Sequence, residues 1–495
     1  MRFSDVISRV KISATNIKNF DYCITKICSD SEKVGYGDVF VCKKGTNADG
    51  HDYIGRAYER GARTFVVQRL TDELIKRDYI RYITVPDTRI AEAVMSYDFF
   101  GRPADGMTLI GITGTNGKTS TSYMLRHILC GAGLKCGLIG TVKSFALNTD
   151  ITPAGVSEFN SMTTPAPEEL YKTLDKMRKM GVDTVVMEAS SHALDQKRLD
   201  ALHFKLGVFT NLSEDHLDYH KTFSEYRNAK AHLFDLCENA LINADSPDGR
   251  TILQTIGCSK YTFSANVSSR HADYIARAIV LDEAEVTYEL KHNNDSCDIS
   301  CPIPGEFTVY NSLAATAAAN ILGISLKSAS VYIGSMENVP GRLERMELKN
   351  GAVLFIDYAH TPDALKKVLN TLNPIKRGRL ITVFGCGGDR EHEKRPLMGE
   401  IATALSDITI VTSDNCRGEK PGDIIKDILT GVNTSSDCRV IENRADAIRK
   451  ALSISEKGDI ILLAGKGHED YEISNGQKKP FSEKKIVEEY FGENR

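Results

Sequence analysis

Seven apolar runs of strand length punctuate the chain, separated for the most part by helix-length amphipathic stretches. They are MTLIGI (107–112), VDTVVM (182–187), LGVFT (206–210), AVLFID (352–357), LITVFG (380–385), ITIVT (408–412) and DIILLAG (459–465). A continuously apolar strand needs cover on both faces, and helix-length connections between such strands favour a parallel arrangement. An α/β protein on largely parallel sheets is therefore expected. At 495 residues the chain is too long for one core, and about 150 residues per domain suggests three. FFGRPADGM (99–107) and SMENVPGRLERME (335–347) place Gly and Pro between periodic segments, as linkers do. The expected domains are 1–103, 104–337 and 338–495.

Apolar residues at 41% and charged residues at 26% match an ordinary globular protein and exclude a disordered or fibrous one. A net charge of -4 with mixed signs offers no basic field, so nucleic acid is not an expected partner. The opening MRFSDVISRVKISATNIKNF has no apolar signal core, and no run approaches the roughly 18 apolar residues of a membrane span. A cytoplasmic monomer without membrane insertion is expected. The twelve cysteines are scattered without a Cys-x-x-Cys pair, which reads as free thiols. CDISC (297–301) is the closest pair, and nothing nearby completes a zinc site.

The segment LIGITGTNGKTS (109–120) joins a strand to a helix through a Gly-rich turn. Its glycines fall at 111, 114 and 117, and Ile112 stands where the usual phosphate loop has its first Gly. Met124, Leu125, Ile128 and Leu129 then recur at helical spacing, and the helix should stop at Gly131 or Gly133. Backbone N–H groups of Gly114, Thr115, Asn116 and Gly117 and of the helix start at Lys118, Thr119 and Ser120 suit phosphate oxygens. Lys118 adds a point charge and Thr119 a hydroxyl for Mg²⁺.

Other polar residues follow the carboxyl ends of strands, where open α/β sheets bind ligands. Glu188 follows VDTVVM, Asn211 follows LGVFT, and Asp215, His216, Asp218 and His220 lie in NLSEDHLDYH. Carboxylate and imidazole beside a triphosphate suit a divalent cation, with Mg²⁺ the default. Taken alone, DHLDYH also reads as a helix start with solvated histidines.

With these residues assembled, the chain resembles the Mur ligases, and among them the MurE type that adds the third residue of the peptidoglycan stem peptide. The blocks that carry the resemblance are DVFVCKKGTNADGHDYI, GITGTNGKTS, TTP, MEASSHALDQKR, FTNLSEDHLDYH, AKAHLFD, PGRLE, DYAHTPDAL, FGCGGDREHEKRPLMG, TSDNCRGEKP and AGKGHEDYE. They span all three expected domains. The resemblance implies a smaller N-terminal α/β domain for the UDP substrate, a central P-loop ATPase domain and a C-terminal Rossmann-like domain. It implies that ATP activates a carboxylate of UDP-N-acetylmuramoyl-L-alanyl-D-glutamate as an acyl phosphate, which the amine of an amino acid captures.

The resemblance assigns roles residue by residue. Lys118, Glu188, His216 and Lys230 would be catalytic, with Thr119, Glu188, His216 and Lys230 around Mg²⁺ and Lys230 carbamylated. Asn311, Arg342 and Asp357 would hold the base and ribose of ATP from two domains, so domain closure is expected. Ser31, Thr163, Thr164, Ser190 and Arg198 would bind the UDP substrate. Glu32 and Glu214 depart from the family, which commonly carries Arg at the first and Arg or Gln at the second.

Arg390, Asp414, Asn415, Arg417, Gly465 and Glu469 would bind the amino acid. The family's Asp-Asn-Pro-Arg accompanies meso-diaminopimelate, whose second carboxylate an Arg can hold through paired hydrogen bonds. Here the segment is Asp414-Asn415-Cys416-Arg417, so the Arg is kept and the Pro is not. Meso-diaminopimelate is expected, with L-lysine or another diamino acid as the alternative. A P-loop kinase or ATPase, or a non-catalytic paralogue, are the readings of a different class.

Overall fold

The computed structural model describes residues 1–45, 48–152, 162–266 and 271–493. The chain has three α/β domains. In the first, strands Ala14–Thr15, Arg81–Thr84, Thr64–Val67, Val39–Val41 and Ile27–Cys28 lie side by side in that order, all parallel except the first. Side chains alternate across a strand, so Val39 and Val41 join one core with Phe3 and Met95. Phe40 and Cys42 join another with Ile54 and Phe65.

In the central domain six parallel strands are ordered Ser259–Ser264, Cys237–Asn243, Phe204–Phe209, Thr108–Thr113, Thr184–Glu188 and Cys136–Ile139. The strand that leads into the Gly-rich turn is thus flanked by the strand that ends in Glu188 and the one that precedes Asn211. The helix after the turn, Lys118–Gly131, stops at the first of the two expected glycines.

In the C-terminal domain Glu344–Glu347 pairs antiparallel with Val353–Asp357. Ile460–Ala464, Leu380–Phe384, Ile408–Val411 and Asp437–Val440 continue the sheet in parallel. Both faces are covered. Phe355, Leu462 and Phe384 pack on one side with Leu369 and Ile428, and Leu354, Ile356, Ile461 and Val383 on the other with Ile448 and Leu452. That double burial is why these strands read as unbroken apolar runs.

The chain divides into two compact units, the first mainly residues 1–263 and the second mainly 274–316 and 324–495. Among the described residues no helix is long and apolar enough to cross a membrane. The cysteines are free thiols. Cys297 and Cys301 lie in the paired strand Asp295–Cys301, and among the described residues no group of three or more His, Cys, Asp or Glu side chains is placed to hold a metal.

One buried ion pair ties the last helix, Glu483–Glu493, to the C-terminal sheet. The fully buried Arg444 bonds Glu483 at 2.8 Å and also donates to the carbonyls of Ser413 and Ala464, both just at strand ends. Removing one partner of such a pair strands the other charge in the interior. Glu483→Ala should therefore destabilise the domain by about 3 kcal/mol, read as a lower midpoint of thermal or urea unfolding. An unchanged midpoint would contradict this.

Candidate active site

The Gly-rich turn is held from the side by residues that follow the neighbouring strand. The amides of Thr115 and Asn116 donate to the carbonyl and side-chain oxygens of Asn211 at 2.9 and 3.0 Å. Asn211 Nδ2 and Thr210 Oγ1 donate back to the Asn116 carbonyl at 3.0 and 2.7 Å. Gly114 has a φ of 147°, and a Cβ there would sit 2.0 Å from Thr210 Oγ1. Only glycine permits this approach. Gly117, with a φ of 85°, turns the chain into the helix. Lys118 folds back over the turn, its Nζ donating to the carbonyls of Gly114 and Thr115, both at 2.8 Å. Ser120 is half-buried in the first helical turn.

Glu188 is wholly buried at the end of its strand. Its Oε2 accepts from Thr119 Oγ1 at 3.1 Å and Thr141 Oγ1 at 2.9 Å, and its Oε1 accepts from the Thr141 amide at 3.1 Å. Gly140 makes room for it, since a Cβ there would lie 2.3 Å from Oε1. Among the described residues no cationic side chain pairs with this carboxylate. A buried carboxylate held only by neutral donors is poorly compensated, and a hydroxyl and carboxylate oxygen together fit Mg²⁺, which prefers few protein ligands plus phosphate and water. The residues present therefore fit the cation.

Lys230, on helix Phe223–Ala231, is buried, and its Nζ donates to the same Gly114 carbonyl at 2.8 Å. Burial first, and the charge of Lys118 second, hold its pKa well below the usual lysine range. The lowered pKa favours the neutral amine, which is the nucleophilic form. His216 adopts a left-handed φ of 56° ahead of the short helix Leu217–His220. Its pKa is lowered by burial and by Lys118 and Lys230, against an opposing pull from Asp215. His216 is exposed, whereas His220 is buried and packs against His192 and Tyr226. The reading of both histidines as solvated thus fails for His220.

The residues expected to bind the UDP substrate divide. Thr164 Oγ1 donates to the Glu188 carbonyl at 2.7 Å and accepts from the Ser190 amide at 3.0 Å, and Arg198 Nη1 donates to the Thr164 carbonyl at 2.8 Å. Thr163 Oγ1 lies within hydrogen-bond distance of Thr141 Oγ1, at 3.1 Å. Thr163, Thr164, Ser190 and Arg198 are therefore gathered beside Glu188. Arg198 also lines a cleft of about 160 Å³ with Lys43, Lys44, Gly45, Arg89, Glu92 and Gln196. Ser31 lies in the turn after Ile27–Cys28 and does not line that cleft. Glu32 is paired with Arg56, which cancels its charge, and Glu214 is exposed.

The remaining expected residues belong to the second unit. Asn311 is buried on helix Glu306–Ile321. Asp357 spends its oxygens on the amides of Leu343 and Ala359, both at 2.8 Å, and burial raises its pKa. The Arg342 guanidinium lies 4.8 Å from the Tyr358 ring centre.

Asp414, Asn415, Arg417, Gly465 and Glu469 converge beyond the carboxyl ends of two parallel strands. Asn415 Nδ2 donates to Glu469 Oε2 at 2.7 Å, and the Asn415 carbonyl accepts from Arg417 Nη1 at 3.3 Å. Arg417, with a φ of 52°, is pinned on both sides by Ile473 and Asn475, at 3.1 and 2.7 Å. The segment is held without the family's Pro: Cys416 Sγ donates to the Asp414 carbonyl at 3.2 Å, and a Cβ on Gly388 would meet the Cys416 oxygen at 1.9 Å. Arg417 Nη1 also donates to the Gly388 carbonyl at 2.8 Å, and its other guanidinium nitrogens take no partner among the described residues. Arg390 is exposed, bonded to the Asp389 carbonyl at 3.5 Å.

Sequence reasoning missed Thr141 and Thr210 as parts of the site. Thr210 follows the strand Phe204–Phe209 and Thr141 lies two residues after Cys136–Ile139, so both sit at the carboxyl end of the sheet, where ligands bind, but a lone threonine there carries no signal by itself.

Comparison with known proteins identifies the family. The Mur ligase family catalytic domain matches residues 23–97, the Mur ligase middle domain residues 112–319, and the Mur ligase glutamate ligase domain residues 341–467. The UDP-N-acetylmuramoyl-L-alanyl-D-glutamate--2,6-diaminopimelate ligase of Clostridium botulinum is 41% identical over 95% of both chains. The protein of the same name from Clostridioides difficile is 41% identical over 99% of both. A solved structure of a ligase with that name is 29% identical, with a TM-score of 0.69 over 100% of this chain and 99% of its own. With all three domains matched in order and such identity along almost its whole length, the chain belongs to the Mur ligase family.

Proposed function

We propose that this protein is the ATP-dependent ligase that joins meso-diaminopimelate to UDP-N-acetylmuramoyl-L-alanyl-D-glutamate in peptidoglycan precursor synthesis. The observation that carries the choice of amino acid is a pair of opposite charges bridged by Asn415: the partly unpartnered Arg417 guanidinium and the Glu469 carboxylate. The far end of diaminopimelate bears one carboxylate and one ammonium, and each finds its counter-charge. The relatives named for this reaction support the same reading.

In this reading the domains are 1–103 for the UDP substrate, 104–337 for ATP and 338–495 for the amino acid, and each family match falls inside one of them. The turn from Gly114 to Ser120 cradles the ATP phosphates. Lys118 leaves its carbonyl partners for the transferring phosphoryl group, where developing charge makes it most effective. Thr119, Glu188, His216 and the carbamate of Lys230 hold Mg²⁺, which when bound screens the repulsion between phosphate and carboxylate. Asn311, Arg342 and Asp357 hold the nucleoside. Thr163, Thr164, Ser190 and Arg198 present the dipeptide carboxylate, and Ser31 and the basic cleft around Lys43 and Arg89 serve its UDP end.

The carboxylate oxygen attacks the γ-phosphorus and ADP leaves. The neutral amine of the amino acid then attacks the acyl carbon of the acyl phosphate. The C–O bond to phosphate breaks, and a proton leaves the new amide nitrogen. Arg390, Asp414, Arg417, Gly465 and Glu469 orient that amine. The protein is read as a cytoplasmic monomer.

Two measurements test this. With ATP, Mg²⁺ and the UDP-linked dipeptide, the wild type should join diaminopimelate in preference to lysine. Arg417→Ala should cost diaminopimelate about 3 kcal/mol, roughly a hundredfold in kcat/KM, by leaving a carboxylate unpaired, and lysine far less. Equal losses would overturn the assignment. For Lys230, the lowered pKa favours the unprotonated amine, the form that captures CO₂. Activity should fall in CO₂-depleted buffer as pH is lowered and return with bicarbonate, while Lys230→Arg stays inactive in both. Indifference of the wild type to CO₂ would remove the carbamate.

A further inference from the structure

The turn that carries Gly465 and Glu469 also carries a lysine that none of the roles above requires. Lys466 has no exposed surface. Its Nζ donates to Asn415 Oδ1 at 3.1 Å and to the Tyr471 carbonyl at 2.8 Å, and lies 3.7 Å from Asp414 Oδ1 and 3.9 Å from Glu469 Oε2. The rings of Tyr471 and Phe481 lie 5.8 and 5.5 Å away. A buried ammonium survives only where charge compensates it, and here two carboxylates do.

Two consequences follow for the amino-acid pocket. The first is geometric. A side-chain amide can sit either way round unless its partners decide. Lys466 Nζ and the Ile473 amide, at 2.9 Å, both donate to Asn415 Oδ1. Nδ2 is therefore left to donate to Glu469 Oε2, and so holds that carboxylate in place. Without the ammonium, one of the two donors that set the amide is gone.

The second consequence is electrostatic. Burial raises the Glu469 pKa, and the nearby Asp414 carboxylate pushes it further, while Lys466 opposes both. Burial would also raise Asp414, but Lys466 and Arg444 outweigh it and hold Asp414 below the usual range. Arg444 is itself paired with Glu483. Two carboxylates, Asp414 and Glu469, are thus set against two cations, Lys466 and Arg417. That balance complements a side-chain end with one ammonium and one carboxylate. Remove Lys466 and the same pocket is net anionic, which favours an end that is cationic only.

We propose that Lys466 is a specificity-determining positioning residue: by fixing the Asn415 amide and cancelling one buried carboxylate, it makes the pocket select a zwitterionic side-chain end over a purely cationic one. The proposal rests on the amino-acid site described under the proposed function, and deepens it. Lys466 acts through Asn415 and Glu469, without touching substrate.

The test uses the full-length protein with ATP, Mg²⁺, the UDP-linked dipeptide and either meso-diaminopimelate or L-lysine. Lys466→Met should raise the KM for diaminopimelate about tenfold and lower the diaminopimelate-to-lysine ratio of kcat/KM by about the same factor, with the KM for ATP within about twofold of wild type. Lys466→Arg, which keeps the charge, should keep most of the preference. Lys466→Met combined with Asp414→Asn removes one charge of each sign and should restore the ratio towards wild type. If Lys466→Met alone does not fold, the double variant carries the test: a restored ratio supports the proposal and a lost one overturns it. A Lys466→Met protein whose kinetic constants all fall together, with the ratio unchanged, overturns it as well. A wild type that joins neither amino acid overturns the functional reading instead, which is a separate result from one in which wild type and Lys466→Met discriminate equally.

Discussion

The ATP end of this protein depends on one close approach, that of Gly114 to Thr210. With no side chain at 114, the turn lies against the end of the neighbouring strand, where a Cβ would be 2.0 Å from a hydroxyl. Asn211 then fastens the turn through both its amide nitrogen and its oxygens. From that fixed backbone the Gly114 carbonyl receives Lys118 and Lys230 at the same distance. Thr119, in the first turn of the helix that follows, meets Glu188. A turn a few tenths of an ångström further out would scatter these groups, and groups that act on one phosphoryl centre tolerate little scatter.

The two ends of the reaction are built on opposite electrostatic plans. At the phosphate loop a buried carboxylate, Glu188, has only neutral donors. Such a site gains most from binding a cation, which in the proposed reading is the Mg²⁺ of the triphosphate. At the amino-acid end charge is balanced internally, with Asp414 and Glu469 set against Lys466 and Arg417, and the adjoining Arg444 matched by Glu483. A balanced pocket discriminates by the arrangement of charges rather than by their sum.

Much of this was legible in the sequence. The seven apolar runs correspond to observed strands within a residue or two, because a strand covered on both faces has no polar positions to hide its limits. Residues placed by strand ends, such as Glu188 and Asn211, could be found by the same logic. Thr141 and Thr210 went unnoticed because a lone threonine after a strand carries no signal until the partner strand is known. Lys466 was invisible for another reason: an isolated lysine reads as solvated, and only the fold brings Asp414, Asn415 and Glu469 around it. The solvated reading of His220 failed similarly, since its burial comes from His192 and Tyr226, the first of them on a different strand connection.

The central claim is that the phosphate loop turns a carboxylate into an acyl phosphate, and an isotope tests it most directly. The terminal carboxylate of the UDP-linked dipeptide, labelled with oxygen-18, would be converted with ATP and diaminopimelate and the released inorganic phosphate weighed. The account predicts one labelled oxygen in each phosphate, because the bridging oxygen departs with phosphorus when the amine attacks carbon. Phosphate free of label, formed alongside ligated product, would contradict it.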